Sequence, residues 1–287
     1  MNDSPKEIVV GVDLGGTNIR AGLVVNSAIV KTGKNCVPMG IDNGHEVTDT
    51  LIQTIEQVIT PETKGIGLGV PGLVDRERGI LYFIQNIPAW KTVHLKSILE
   101  KQFNVPVFLN NDSNCFAVGE RLFGHGRSSD NFLGITMGTG LGAGIINNGK
   151  LLNDANCGSG EFGNIPYLDS VYEDYCSGKF FRTFYKSSGE ELAQKAFQND
   201  SIAIKAYHEF GKHVGNAIKT VMFAVDPEMV ILGGAIAKSG ILYEKAMREE
   251  INKFPFPNSL QNFRVLFSTI DDSAILGAAA LYHNAQN

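Results

Sequence analysis

Asp112 lies in the segment Leu-Asn-Asn-Asp-Ser-Asn, residues 109–114, where an apolar run gives way to a predicted helix. A carboxylate at this position can act as a general base that accepts a proton from a substrate hydroxyl during phosphoryl transfer. It can also be no more than the N-cap of that helix, as can Ser113. Ligands of open α/β sheets bind at the carboxyl ends of the strands, and this favours the catalytic role.

Asp13 ends another apolar run, Ile-Val-Val-Gly-Val-Asp at residues 8–13, and a glycine turn follows it. A carboxylate at the end of a strand can hold a hydrated Mg²⁺. The backbone N–H groups of Gly15 and Gly16, together with the hydroxyl of Thr17, can bind phosphate. A hairpin turn with a capping aspartate explains this segment equally well when it is considered alone.

A second glycine turn, Thr-Met-Gly-Thr-Gly-Leu-Gly at residues 136–142, resembles the first at an offset of 123 residues, which aligns Gly15 with Gly138. Thr139 in this turn can donate a hydrogen bond to a γ-phosphate. The repeat predicts a duplicated strand–turn–strand unit whose two turns hold the phosphates of one nucleotide between two lobes. Chance similarity between two glycine-rich hairpins is the alternative.

Two further segments have residues that suit contacts with a ligand. Glu161 and Asn164 lie in a tight turn and can bind hydroxyl groups, because a carboxylate accepts hydrogen bonds and an amide both donates and accepts them. Gly233 and Gly234 follow the run Val-Ile-Leu and precede a predicted helix, where the backbone can pass under a flat purine.

Three other patterns fail on their context. Residues 67–72 match Gly-x-Gly-x-x-Gly, but no acidic residue lies between positions 79 and 100 to bind a ribose. Residues 144–150 resemble a phosphate-binding loop, but Leu151 replaces the required Ser or Thr, so a hairpin turn is the better interpretation. Cys157 and Cys176 lack the paired spacing of a zinc site.

Composition argues against several classes of protein. The 287 residues include 32 glycines, which concentrate in five short windows and form no low-complexity tract. The net charge is −5 without a run of five basic residues, so nucleic acid is not the expected partner. No apolar stretch reaches the ~18 residues of a membrane span, and the polar first residues are unlike a signal peptide. The four scattered cysteines predict reduced thiols in the cytoplasm.

Hydrophobic periodicity and turn residues predict strands that alternate with helices, and therefore an α/β fold. The predicted strands cover residues 7–13, 19–25, 65–70, 105–110, 131–137, 143–147, 229–233 and 264–270. The predicted helices cover residues 45–59, 93–103, 113–123, 174–186, 190–198, 201–224, 241–252 and 273–284.

In their order along the chain, these motifs resemble those of the ROK family of sugar kinases, whose fold is the two-lobed actin-like/hexokinase (ribonuclease H-like) ATPase fold. The segments that carry the resemblance are 11–24, 69–75, 86–90, 109–114, 136–145, 159–164, 177–178, 226–235 and 271–281. The resemblance implies a small lobe of residues 1–112, joined by the last helix at 275–287, and a larger lobe of residues 113–274. A homodimer is also expected.

The resemblance implies ATP-dependent, Mg²⁺-assisted phosphorylation of a hexose, with Asp112 as the catalytic base. Glucose is the expected substrate, and N-acetylmannosamine, mannose, fructose and allose stay open. The implied sugar contacts are Asn86, Asn111, Asp112, Glu161, Asn164 and Glu173. The implied Mg-ATP contacts are Asp13, Gly15, Gly16, Thr17, Asn18, Gly138, Thr139 and Gly140, with Gly233 and Gly234 near the adenine.

The sequence departs from the family pattern after Gly163. Family kinases usually have a histidine at the position of Asn164 and then a zinc-binding cysteine cluster. Here that loop is shorter by about ten residues and its cysteine and histidine ligands are replaced. Glu173, four residues before Ser177, keeps the place of the second sugar-binding glutamate. We therefore expect a zinc-free member that keeps both glutamates.

Two other functions stay open. A catalytically weak sugar sensor is compatible with the loss of the zinc loop, although Asp112, Glu161 and both glycine turns are retained. An acyl-phosphate kinase or ATPase would need clustered Arg and Lys for its anionic substrate, and only Arg20 and Lys91 lie near the motifs. Repressors of the family carry an N-terminal helix-turn-helix, and a first strand near residue 8 predicts no such domain here.

Overall fold

The computed structural model describes residues 7–38, 44–82, 87, 90–153 and 155–286. Their contacts divide the chain into two compact units. The first unit consists of Met1–Gly124, Lys150–Ser159 and Ile270–Asn287, and the second of His125–Gly149 and Gly160–Thr269.

Strands and helices alternate along most of the chain, as predicted for an α/β protein. The strands are β1 (Ile8–Leu14), β2 (Asn18–Val25), β3 (Ala28–Cys36), β4 (Gly65–Val70), β5 (Leu73–Asp75), β6 (Ile80–Tyr82), β7 (Thr92–Val93), β8 (Val107–Asn111), β9 (Phe132–Met137), β10 (Leu141–Asn147), β11 (Lys150–Leu151), β12 (Pro166–Tyr167), β13 (Ser170–Val171), β14 (Met229–Gly233) and β15 (Arg264–Phe267). The helices are α1 (His45–Glu56), α2 (Leu95–Phe103), α3 (Asp112–Phe123), α4 (Tyr172–Cys176), α5 (Gly178–Tyr185), α6 (Gly189–Phe197), α7 (Ser201–Val225), α8 (Gly240–Ile251), α9 (Pro257–Leu260) and α10 (Ser273–Asn284).

In the first unit a five-stranded sheet has the order β3-β2-β1-β4-β8. β1 runs antiparallel to β2 and parallel to β4, and β4 runs parallel to β8. β1 and β4 are rich in Val, Ile, Leu and Gly because they are buried along almost their whole length. A Cβ atom at Gly11 or Gly67 would overlap a carbonyl oxygen of α10, so glycine lets this helix lie directly on the sheet.

In the second unit β10, β9, β14 and β15 lie side by side in that order. β9 and β10 form an antiparallel hairpin, and β14 runs parallel to both β9 and β15. Each unit thus contains an antiparallel hairpin whose first strand also pairs with a parallel strand. This arrangement confirms the predicted duplication of the strand–turn–strand core.

The structure differs from the prediction at several elements. The helix predicted at 174–186 is interrupted at Ser177, which is extended with φ −131° and whose hydroxyl accepts the Lys179 N–H at 3.2 Å as the N-cap of α5. β3 was not predicted because most of its residues are exposed and it lacks regular apolar alternation. A boundary at residue 112 would assign α3 to the second lobe, whereas α3 packs closely on α10 in the first unit, where Gly119 faces Gly277.

None of the helices among the described residues has the length and apolar character required to span a lipid bilayer.

Candidate active site

The carboxylate of Asp13 lies at the end of β1. Arg20, opposite Asp13 in the β1–β2 hairpin, donates hydrogen bonds from Nη2 and Nε to Asp13 Oδ2 at 2.6 and 3.1 Å. The same guanidinium lies 3.5 Å from a carboxylate oxygen of Asp272. Within the described residues no hydrogen bond reaches Asp13 Oδ1. This oxygen is therefore available to a cation or to the water around one.

The first glycine turn, residues 15–17, connects β1 to β2. It is closed by a hydrogen bond of 2.9 Å from the Gly15 N–H to the carbonyl of Asn18. Gly16 and Thr17 are exposed, and no hydrogen bond within the described residues uses their N–H groups. Two adjacent N–H dipoles are thus free to bind an anion such as phosphate.

Asp112 occupies the first turn of α3, directly after β8, and it is exposed. Asn111 is the N-cap, because its Oδ1 accepts the Ser113 N–H at 2.8 Å, while its Nδ2 donates to the carbonyl of Gly72 at 3.1 Å. Asp112 Oδ1 also accepts the Ser113 N–H, at 2.7 Å. The capping role that the sequence left open for Asp112 or Ser113 therefore belongs to Asn111, and the helix N-terminus places positive potential beside Asp112.

Asp13 and Asp112 lie at the same edge of the first sheet. Asp13 pairs with Gly69 of β4, and Gly69 pairs with Asn110 of β8, so the strands end at the same level. Two strand spacings place these ends roughly 10 Å apart. Cys115 lies below this edge: burial above all, and then the charges of Asp112 and Asp13, raise the pKa of its thiol well above the ordinary value. A buried thiol with a raised pKa is inert rather than nucleophilic.

The second glycine turn, residues 138–140, connects β9 to β10. The Gly138 N–H donates to the Gly140 carbonyl at 3.0 Å, while no hydrogen bond within the described residues uses the N–H groups of Thr139 and Gly140. A Cβ atom at Gly138 would meet no heavy atom within 4 Å. The space beside Gly138 is therefore open to a ligand, and the free N–H groups of the first turn recur in the second.

Gly233 and Gly234 lie beside the second glycine turn. Gly233 ends β14 and pairs with Thr136 of β9, two residues before the turn. Gly234 has φ +85°, and a Cβ atom there would overlap the carbonyl oxygen of Met137. Only glycine fits both requirements. The backbone of this segment consequently lies directly against the end of β9.

Glu161 and Asn164 form a polar pair in the short turn of residues 161–164. Asn164 Nδ2 donates to Glu161 Oε2 at 2.9 Å, and both residues are exposed. Desolvation of the carboxyl raises the pKa of Glu161, the hydrogen bond from Asn164 opposes this shift, and the nearby charge of Glu173 adds to it. The structure thus brings together the two side chains that the sequence assigned to hydroxyl binding.

Glu173, in the first turn of α4, faces the second glycine turn. Its Oε2 accepts the Leu141 N–H at 3.0 Å, and its Oε1 accepts a hydrogen bond of 2.6 Å from Lys179 Nζ. A Cβ atom at Gly140 would lie 2.6 Å from the same carboxylate. The residue expected to bind sugar therefore also contacts the turn expected to bind phosphate.

Residues 9–285 match the ROK family. The chain belongs to the ROK family. Its fold is the actin-like/hexokinase fold of the solved ROK sugar kinases. The match begins within β1 and ends within two residues of the end of the described chain, so it includes both glycine turns.

The relatives of this ROK-family chain include kinases and repressors. It is 30% identical to a glucokinase of Thermotoga maritima, over 96% of this chain and 98% of that protein. It is 28% identical to a xylose repressor of Caldicellulosiruptor bescii, over 95% of this chain and 77% of that protein. A ROK family glucokinase of Streptomyces griseus, solved in complex with glucose and AMPPNP, superposes with a TM-score of 0.82 at 26% identity, over 96% of this chain and 98% of that chain.

No group of three or more His, Cys, Asp or Glu side chains that could hold a metal ion occurs among the described residues. None of the four cysteines forms a disulfide bond in the part of the chain that the structure describes, and Cys36 is the one that is exposed. Asn86, which the sequence assigned to the sugar, lies outside the described residues.

Two cations at the glycine turns escaped the sequence analysis as site residues. Arg20 was noted only as a cation near the motifs, although a turn of residues 15–17 aligns it with Asp13. Lys179 was not singled out, because the break at Ser177 that directs it toward Glu173 was not predicted. Its position directly after Ser177-Gly178 was the signal available in the sequence.

Proposed function

We propose that this chain transfers the γ-phosphate of ATP to the primary hydroxyl of glucose, with glucose 6-phosphate as the product. The broader activity, ATP-dependent phosphorylation of a sugar, follows from the family match and from the glucokinase relatives. N-acetylmannosamine, fructose, mannose and allose are the alternative acceptors. The described cysteines form no disulfide bonds, and we propose a reducing, cytoplasmic location.

Asp112 is the general base of the proposed reaction. The observation that carries this assignment is an exposed carboxylate at the carboxyl end of β8, with a second carboxylate, Asp13, at the same edge. In phosphoryl transfer the base orients the attacking hydroxyl and accepts its proton. Because Asn111 supplies the helix cap, the carboxylate of Asp112 is not needed for that purpose.

Glu161, Asn164 and Glu173 are the proposed contacts of the second unit with the sugar hydroxyls. The bond between Asn164 and Glu161 leaves each group further capacity, since a carboxylate accepts several hydrogen bonds and an amide nitrogen donates two. Besides this side-chain bond, the backbone N–H of Asn164 donates to the carbonyl of Glu161 at 3.1 Å, so both groups of Asn164 are held by the same residue. Asn111 is proposed as a further sugar contact of the first unit, beside its capping role.

Both glycine turns bind the phosphates in this proposal, with Gly233 and Gly234 at the adenine. Four N–H groups without an acceptor among the described residues, two in each turn, supply the binding dipoles. The open oxygen of Asp13 fits Mg²⁺, which keeps several waters and prefers carboxylate and phosphate oxygens. When bound, Mg²⁺ would neutralise charge on the β- and γ-phosphates. The ion pair with Arg20 holds Asp13 in place for this contact.

The test is release of ADP over a panel of hexoses, amino sugars and carboxylates. We expect the largest kcat/KM with glucose. Asp112→Asn should lower kcat by about 100- to 10,000-fold, the range of general-base catalysis, while ATP binding is unchanged. Asp49→Asn, an exposed aspartate on α1, is the matched control. Near-normal turnover by Asp112→Asn refutes the assigned base, and a larger kcat/KM with another sugar refutes glucose.

A sugar-responsive regulator is the second candidate, and the xylose repressor relative is the observation that favours it. This function predicts sugar binding, measured by calorimetry, without release of ADP for any sugar in the panel. A homodimer is proposed from the family resemblance, and sedimentation equilibrium tests it: a monomer at micromolar concentration would contradict the proposal.

A further inference from the structure

Hydrogen bonds of the side chain and of the neighbouring backbone hold Lys179 beside the second glycine turn. Its ammonium donates to Glu173 Oε1 at 2.6 Å, and Glu173 Oε2 in turn accepts the Leu141 N–H, the first amide after the turn. The preceding residue, Gly178, donates its N–H to the carbonyl of Gly138 at 2.8 Å. Side chain and backbone together therefore hold a cation beside this turn.

The ammonium keeps hydrogen-bonding capacity for a ligand. A lysine ammonium has three donors. Glu173 takes one of them at 2.6 Å, and Asp174 lies 3.6 Å away, beyond ordinary hydrogen-bond distance. The side chain is 45% exposed, so the remaining donors can reach a bound group. The hydrogen bond with Glu173 above all raises the pKa of Lys179, so the charge persists at neutral pH.

The space next to Lys179 suits an anion. Gly138 faces open space, and the N–H groups of Thr139 and Gly140 have no acceptor within the described residues. Arg182, one turn further along α5, donates to the Gly178 carbonyl at 3.2 Å and adds a second positive charge. Among the described residues Lys179 contacts Glu173 and lies near Asp174, and the charge of Glu161 lies close enough to Glu173 to interact with it.

We propose that Lys179 contacts a phosphate of the bound nucleotide and that Glu173 holds its ammonium in position at the second glycine turn. The inference rests on the proposed kinase function and adds to it a residue that neither glycine motif contains. Glu173 then serves the nucleotide through Lys179, in addition to its proposed contact with the sugar. A lysine acts here as a point charge, so no bidentate geometry is required.

Kinetics and direct binding test this role. Lys179→Met should raise KM for ATP about tenfold or more, the effect of one lost hydrogen bond to a charged group, while kcat and KM for the sugar change less than about twofold. Lys179→Arg should restore most of the ATP affinity. Lys205→Met is the matched control, because Lys205 is an exposed helical lysine with its own ion pair to Glu209. Calorimetry with AMPPNP alone measures the same loss without turnover.

A double-mutant cycle tests the part assigned to Glu173. Glu173→Gln should raise KM for ATP in the wild type but much less in the Lys179→Met background. Additive effects overturn the positioning role, and an unchanged ATP affinity in Lys179→Met overturns the phosphate contact. If Lys179→Met raises both KM values and lowers the unfolding temperature, its role is structural and the proposal fails. Wild-type protein that binds AMPPNP but releases no ADP with any sugar would overturn the kinase function instead, and the calorimetric comparison would still decide on Lys179.

Discussion

Gly138→Ala tests whether Gly138 serves nucleotide binding, in contrast to glycines that serve packing. At Gly138 a methyl group would meet no heavy atom within 4 Å, and its φ is not among the positive values of the described residues. At Gly67 the same change would drive Cβ into the carbonyl oxygen of Ala278, because α10 lies directly on β4. The two substitutions add the same methyl group, at a turn after β9 and in the middle of β4, and only the second meets protein atoms within 4 Å.

The expected magnitudes differ in stability and in function. Gly138→Ala should change the free energy of unfolding by no more than about 0.5 kcal/mol, as for a substitution without new contacts. Gly67→Ala should lower the free energy of unfolding by about 1–3 kcal/mol or more, since the core must move to accommodate the methyl group. Gly138→Ala nevertheless fills the open space beside the free N–H groups. Loss of one hydrogen bond from them to a charged phosphate, about 1.5–3 kcal/mol, would raise KM for ATP roughly 10- to 150-fold.

The assay is ADP release with varied ATP at saturating sugar, combined with urea unfolding of each variant. The assignment is supported if Gly138→Ala raises KM for ATP and keeps the wild-type urea midpoint, while Gly67→Ala lowers that midpoint. Unchanged ATP kinetics in Gly138→Ala would refute the assignment of the second glycine turn to phosphate. A loss of stability as large as that of Gly67→Ala would refute the conclusion that the space beside Gly138 is open.

Three further variants test interactions within the second unit. The hydroxyl of Tyr243 is buried without a partner among the described residues, so Tyr243→Phe should raise the free energy of unfolding by about 1 kcal/mol. Tyr207→Phe loses a hydrogen bond of 2.7 Å to the Gly189 carbonyl and should lower the free energy of unfolding. Equal shifts of the unfolding temperature in the two variants would contradict this reasoning. Burial alone would raise the pKa of Glu250. The hydrogen bonds from Lys219 and Lys253 outweigh this effect, so the pKa is lowered. The stability that this pair adds is therefore present above the ordinary pKa and is lost as the pH falls through the lowered value. Glu250→Gln should lower the free energy of unfolding by about 1–3 kcal/mol at pH 7. If this difference from the wild type does not shrink on acidification, the stabilising ion pair is contradicted.

Most of the fold could be predicted because its central strands are buried on both faces. Such strands favour runs of apolar residues and glycine with few polar residues, and these runs mark β1, β4 and β14 in the sequence. In β3 six of the nine residues are exposed at the sheet edge, so its pairing with β2 is visible only in the structure. The break at Ser177 was not predicted for a related reason. Its extended backbone is stabilised by packing and by capping of α5, and apolar periodicity does not indicate either.

The candidate site is predictable to the extent that it depends on glycine and on strand ends. The sequence predicts Asp13 and Asp112 each at the end of a strand, and the parallel pairing of β1 and β8 with β4 brings these ends to one edge of the sheet. The cations could not be assigned in this way. Arg20 reaches Asp13 only in the register set by the first glycine turn, and Lys179 reaches Glu173 only because α5 restarts at Gly178. Glycine patterns therefore locate the turns that we propose to bind phosphate, whereas the charges beside those turns depend on hairpin register and on how the next helix packs.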